Sequence, residues 1–148
     1  MTAAPSSQRS LGVALVGLGF GEKVHLPALL DCPLTEPVAL WHNRPERLEQ
    51  ACAASGLRGF RSFEALLVDP RVDALVIATP PEPRFALAQA AIAAGKHLLL
   101  EKPVALEASQ IEELQRQALS AGVAVAVDFE YRAVPAFMQL AALLRQNS

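Results

Sequence analysis

"VALVGLGFGEKVHLPAL", Val13 to Leu29, joins an apolar, β-branched run to a glycine cluster and then to a helix-like pattern. Gly17, Gly19 and Gly21 stand where a first strand would hand over to a first helix. Backbone N–H groups at such a junction can receive an anionic group. The dinucleotide fingerprint reads G-x-G-x-x-G, and Glu22 occupies its sixth position here. The loop thus predicts a strand, a turn and a helix, and leaves its ligand to be decided by the rest of the chain.

Outward from this stretch, four more apolar strings follow: "VALWHN" from Val38, "DALVIATP" from Asp73, "HLLLEKP" from His97 and "VAVAVDF" from Val123. Their apolarity is continuous rather than alternating, as parallel strands covered on both faces require. Helical patterns fill the gaps. "RPERLEQACAASG" carries Pro45 near its start and Gly56 as its stop, and "FALAQAAIAAG", from Phe85, closes on Gly95 in the same way. "GFRSFEALLVD" predicts a brief strand near Phe60 and a short helix from Phe63, and "EASQIEELQRQALSAG" an amphipathic helix with Ile111, Leu114 and Leu119 on its apolar side. Strand and helix alternation of this kind predicts an α/β fold, a Rossmann-type doubly wound parallel sheet with its ligand at the carboxyl ends of the strands. The loops expected to converge there on one crevice are Gly17 to Glu22, His42 to Arg44, the segment from Thr79, the one from Glu101 and the one from Asp128.

The chain has 148 residues, 52% hydrophobic and 19% charged, with a formal net charge of −2. That length fits one domain with a full core, and no apolar run approaches a membrane span. The charge balance supplies no basic field for nucleic acid. Cys32 and Cys52 show no metal-ligand spacing and cannot form a disulfide framework, so no metal is expected. The opening "MTAAPSSQRS" reads as a flexible tail over residues 1–10 rather than a secretion signal, which implies a cytoplasmic setting.

In this order the loops resemble the nucleotide-binding domain of the glucose–fructose oxidoreductase, inositol dehydrogenase and rhizopine catabolism (Gfo/Idh/MocA) family. The matching segments are "GLGFGEKVHLPAL", "WHNRPER", "ATPPEPRFALA", "AAGKHLLLEKPVAL" and "FEYRAVPAF", of which the "AGKH…EKP" element is the most specific. The resemblance implies a Rossmann domain over residues 11–132 and a connecting helix over 133–148. A C-terminal α+β substrate domain would lie beyond Ser148, and the full-length protein would be a homo-oligomer. It implies an oxidoreductase moving hydride between NADP or NAD and a small-molecule substrate, a sugar, cyclitol or related polyol. The alternative is a non-catalytic dinucleotide sensor of the same fold. Lys102 would be the catalytic residue, its amine brought to a lowered pKa by desolvation and oriented by charge pairing with Glu101. A solvated lysine at a strand end is the other reading of that position. The expected cofactor contacts are Gly17, Gly19, Phe20, Gly21, Asn43, Arg44, Arg47, Thr79, Pro80, Glu101, Lys102 and Arg132, with Tyr131 near the same crevice. His25 and His97 read as packing residues, and Arg84 replaces a histidine that the family often carries, so that histidine's role does not transfer.

Selectivity is read from the residues after the second strand. An NAD site commonly places an acid there to hold the adenosine ribose, but "WHNRPER" has no carboxylate before Glu46. His42 occupies the place of the acid, as a ribose contact or a plain loop residue. Asn43, Arg44 and Arg47 offer donors and positive charge suited to a 2′-phosphate, so NADP is the expected preference. The connecting helix carries Val134, Phe137, Met138, Leu140, Leu143 and Leu144, an apolar set expected to drive self-association of the fragment.

Overall fold

The computed structural model describes residues 9–146. Six parallel strands form one sheet: β1 (Leu11–Val16), β2 (Thr35–Trp41), β3 (Arg58–Phe60), β4 (Ala74–Ile77), β5 (His97–Leu100) and β6 (Val125–Val127). Their order across the sheet is β3-β2-β1-β4-β5-β6. The reversal between β1 and β4 marks the point where such sheets bind ligands. Between them run α1 (Leu26–Asp31), α2 (Pro45–Ser55), α3 (Phe63–Leu67), α4 (Pro81–Ala93) and α5 (Ala108–Ala121), with α6 (Pro135–Gln146) last.

Alternate residues of β1 supply two separate cores. Ala14 and Val16 join Leu75, Ile77, Leu98 and Leu100 against residues of α3, α4 and α5. Val13 and Leu15 join Leu40, Ala74 and Val76 against Leu26 of α1 and Leu48 and Ala51 of α2. With a side-chain period of two, a strand apolar at every position must be covered on both faces. Pro37 has no N–H to give the ladder, and the β1–β2 register slips beside it, from Val13 opposite Pro37 to Ala14 opposite Ala39.

Several elements depart from expectation. α4 begins at Pro81, four residues before Phe85, because the first helical turn needs no N–H donors and so tolerates Pro81 and Pro83. On α5 the core face is Leu114 and Ala118, and Leu119 is 77% exposed. β6 is an edge strand and only half-buried. Residues 1–8 of the expected tail lie outside the described residues, whereas Arg9 binds Asp73 at 2.7 Å and Ser10 reaches Glu36 at 3.4 Å. No helix among the described residues is long and apolar enough to cross a membrane.

Candidate functional site

The glycine turn is shaped by close approach. Gly17 has φ +96°, and a Cβ there would lie 2.8 Å from the backbone of Ala78 and Thr79. No other residue type fits both conditions. At Gly21 an added Cβ would meet Leu15 Cδ1 at 3.0 Å and Ala78 Cβ at 3.4 Å, so this glycine serves the close helix–sheet contact although it precedes the fingerprint position. The helix then opens as a π-helical turn over Gly21–His25, its last ring closed by Leu26 N–H on Gly21 O, before continuing as α1. Such turns are frequent at functional sites. Glu22 leans outward and pairs with Arg47 at 3.3 Å.

Three loops line one crevice of about 530 Å³: Gly17, Leu18 and Gly19 after β1; Trp41, His42, Asn43, Arg44 and Arg47 around the end of β2; Ala78, Thr79, Pro80 and the start of α4 after β4. Gly19 is exposed, with open space beside its Cα. Trp41 Nε1 and Thr79 Oγ1 are buried without a hydrogen-bond partner, on two residues that line the crevice. Buried donors and acceptors are rarely left unpaired in folded proteins. His42 Nδ1 lies 3.0 Å from the Arg44 N–H, and burial lowers its pKa, with the Arg44 and Arg47 charges acting the same way and the Arg44 backbone contact opposing.

The other two loops line a second groove, of about 730 Å³, in which Lys102, Glu130, Tyr131 and Arg132 surround an apolar floor that includes Val104, Ile111 and Val127. The expected single crevice is thus two concavities along the carboxyl ends of the strands. The strand order explains the division: β2, β1 and β4 adjoin, and β5 and β6 lie beyond them.

Two expectations for Lys102 are corrected. Its Nζ pairs with Glu130 at 2.9 Å, not with Glu101. The Glu130 hydrogen bond and charge, on a largely solvated amine, hold its pKa above the ordinary lysine value instead of lowering it. Glu101 turns inward, is 7% exposed, and receives the Lys102 backbone N–H at 3.1 Å. His25, read as a packing residue, is indeed buried but also carries a hydrogen bond, Nε2 to Glu101 Oε1 at 2.9 Å, with Asp128 Oδ2 at 3.8 Å. Phe20 packs edge-on to the His25 ring. His97 Nδ1 accepts from the Ala124 N–H, tying β5 to the start of β6.

Arg84 has a role that no motif signalled. Its buried guanidinium donates through Nη1 to the carbonyls of Glu101 and Pro103, and through Nη2 to that of Thr79. It clamps the loop after β4 to the loop after β5, with Lys102 between its two anchors. The peptide joining Lys102 to Pro103 is cis.

Sheet order, glycine turn and crevice define a dinucleotide-binding Rossmann domain. The chain belongs to the Gfo/Idh/MocA family: the family described as "Oxidoreductase family, NAD-binding Rossmann fold" matches residues 11–129. An uncharacterized oxidoreductase of Synechocystis sp. is 40% identical over 148 residues, covering 99% of this chain and 39% of that protein. Galactose 1-dehydrogenase of Pseudomonas fluorescens is 40% identical over 93 residues, 62% of this chain and 28% of the enzyme. A crystal structure of KijD10, a 3-ketoreductase from Actinomadura kijaniata in complex with NADP, superposes with a TM-score of 0.87 at 29% identity, covering 93% of this chain and 44% of that one. The chain spans about two fifths of the length of the first and third of these proteins.

Proposed function

We propose that this chain is the cofactor-binding part of an NADP(H)-preferring oxidoreductase acting on a sugar, cyclitol or related polyol, or on the matching ketone. The observation that carries the reading is the crevice at the β1/β4 switch point, where a glycine turn with open backbone meets an arginine-bearing loop. Gly17, Gly19 and Gly21 shape the turn for the pyrophosphate, with Phe20 beside it. Thr79 and Pro80 form the opposite wall, and Trp41 and His42 border the adenosine end. Asn43 and Arg44 hold the 2′-phosphate, while Arg47 contributes less because Glu22 already engages it.

When bound, the cofactor supplies a hydride donor or acceptor at its nicotinamide. Lys102 supplies the charge. An ammonium paired with Glu130 is suited to hydrogen-bond a carbonyl or hydroxyl oxygen, to stabilise developing alkoxide and to donate a proton to it. The raised pKa favours that role over base catalysis by a neutral amine. Glu101 acts on Lys102 through its backbone, and Arg132 stands at the outer rim of the same groove.

Substrate orientation and exclusion of water carry much of such a reaction, and the groove around Lys102 is open in this chain. The reading therefore assigns dinucleotide binding without turnover to the 148 residues, and homo-oligomeric assembly to the whole protein. A cytoplasmic setting accords with its two free cysteines. The test is Lys102→Ala in a version that carries the substrate domain. The rate should fall about a hundredfold or more with cofactor affinity nearly unchanged. An unaffected rate would make Lys102 a surface residue.

A further inference from the structure

We propose that His25 is a positioning residue for Lys102, acting through the Glu101 carboxylate without touching cofactor or substrate. The inference rests on the reading of Lys102 as the residue at the reacting centre.

Three hydrogen-bonded links carry it. His25 closes the π-helical turn that follows the glycine loop, and its side chain is 8% exposed. Its Nε2 lies 2.9 Å from Glu101 Oε1, and Glu101 Oε2 receives the Lys102 N–H at 3.1 Å. Each carboxylate oxygen thus has its own N–H donor, one from a side chain 76 positions away and one from the residue to be placed. Arg84 fixes the carbonyls of Glu101 and Pro103, so Lys102 is held by its own N–H and by the residues on either side of it. Asp128 stands 3.8 Å from His25 and completes the cluster, its carboxyl pushed up by burial and by the Glu101 and Glu130 charges against the pull of His25.

Packing alone does not account for a histidine here. An apolar ring at this position would still meet Phe20 and the core, whereas a buried imidazole must find a partner. Its absence would take the imidazole donor from the buried Glu101 carboxylate and leave that side facing only the Asp128 carboxyl. Glu101 would then be free to swing toward the Lys102 ammonium and compete with Glu130 for it. His25 keeps the two carboxylates in different jobs: Glu101 on the backbone of Lys102, Glu130 on its Nζ. It also ties the proposed pyrophosphate turn to the lysine loop, so the middle and the nicotinamide end of a bound dinucleotide are placed by one hydrogen-bonded unit.

The test uses the 148-residue chain with ¹⁵N-labelled backbone and ¹³C-dimethylated lysines, of which there are three, at positions 23, 96 and 102. His25→Phe keeps a ring of similar size and removes the bond. It should shift the Lys102 amide proton upfield, speed its exchange about tenfold or more, and move the Lys102 dimethyl signal while those of Lys23 and Lys96 stay. His25→Gln, whose amide can still donate, should restore most of the parent pattern. If His25→Phe does not fold, His25→Asn, whose shorter amide falls short of Glu101, should give the same Lys102 shifts. Unchanged Lys102 signals in the variant that folds, or a Gln variant no better than Phe, would overturn the proposal. NADPH binding by the parent chain is read separately on the emission of Trp41. Its failure would overturn the dinucleotide reading beneath the proposal, and it is distinguishable because it is not read on Lys102.

Discussion

The Arg47 guanidinium lies 3.3 Å from the Glu22 carboxylate and joins the first turn of α2 to the turn after the glycine loop. Both side chains remain partly exposed, at 46% and 31%, so the pair itself adds little stability. Its effect falls on the crevice. Glu22 occupies an arginine that lines the crevice and could otherwise serve a 2′-phosphate. Glu22→Gln should therefore tighten NADPH several-fold and NADH less, measured by parallel titrations at low ionic strength. Equal gains for the two nucleotides would show that Arg47 does not reach the phosphate.

Arg84 is the second point of leverage. It serves three backbone carbonyls from a buried position, and burial pulls its pKa down while Glu101 raises it. Arg84→Met keeps much of the volume and none of the donors. At about 1–3 kcal/mol for each buried acceptor left unpaired, the variant should lose roughly 3 kcal/mol or more, read as a lowered urea midpoint. Arg84→Lys should recover only part, because one ammonium cannot reproduce the planar fork. A full recovery by lysine would mean that charge, not geometry, holds the two loops.

The acid limb of stability is assigned to Asp69. Its buried carboxylate receives the side chain and N–H of Arg71 and the guanidinium of Arg58, and the Arg71 hydrogen bonds hold its pKa at about 2 against an ordinary 3.8. A depressed carboxylate stabilises the fold above its unfolded pKa and loses that contribution as pH falls through its folded pKa. Asp69→Asn should thus be less stable than the parent at pH 5–7, with the gap closing as the pH falls from near 3.8 to about 2. Urea midpoints across that range check it. A gap independent of pH would locate the effect elsewhere.

α6 packs on the turn Glu130–Ala133, where Tyr131 meets Phe137, and leaves Phe137, Met138 and Leu140 more than half exposed. Association of the chain with itself through this face should appear in sedimentation as a mass that rises with concentration. Phe137→Asp together with Leu140→Asp should abolish the rise. A monomer at all concentrations in the parent chain would contradict the expectation.

The fold was legible because its signals are local. β-branched runs, Pro45 at the α2 start, and the glycines at 56, 95 and 122 with positive φ mark their elements within a few residues. The α4 start was hidden by prolines that read as a turn, and the α5 face by an alanine, Ala118, too small to register as core. The loops of the crevice were legible from the sheet rule, which places ligands after the strands. The support beneath Lys102 was not. Arg84 and His25 act across 17 and 76 positions on Glu101, and such partners have no spacing pattern. The Glu130 carboxylate, within the segment already singled out after the last strand, was the partner that charge pairing alone assigned to Glu101.

The central claim, that the crevice holds a dinucleotide and reads its 2′-phosphate, rests most directly on Arg44 and Trp41. Trp41 is the chain's single tryptophan and lines the crevice beside Arg44, so its emission should be quenched as nucleotide binds. A charged hydrogen bond contributes about 1.5–3 kcal/mol, which amounts to roughly tenfold or more in affinity. Titration of the chain with NADPH and NADH should show NADPH binding at least that much tighter, and Arg44→Ala should remove most of the difference by weakening NADPH alone. Tighter binding of NADH, or an Arg44→Ala variant that loses nothing against NADPH, would contradict the account.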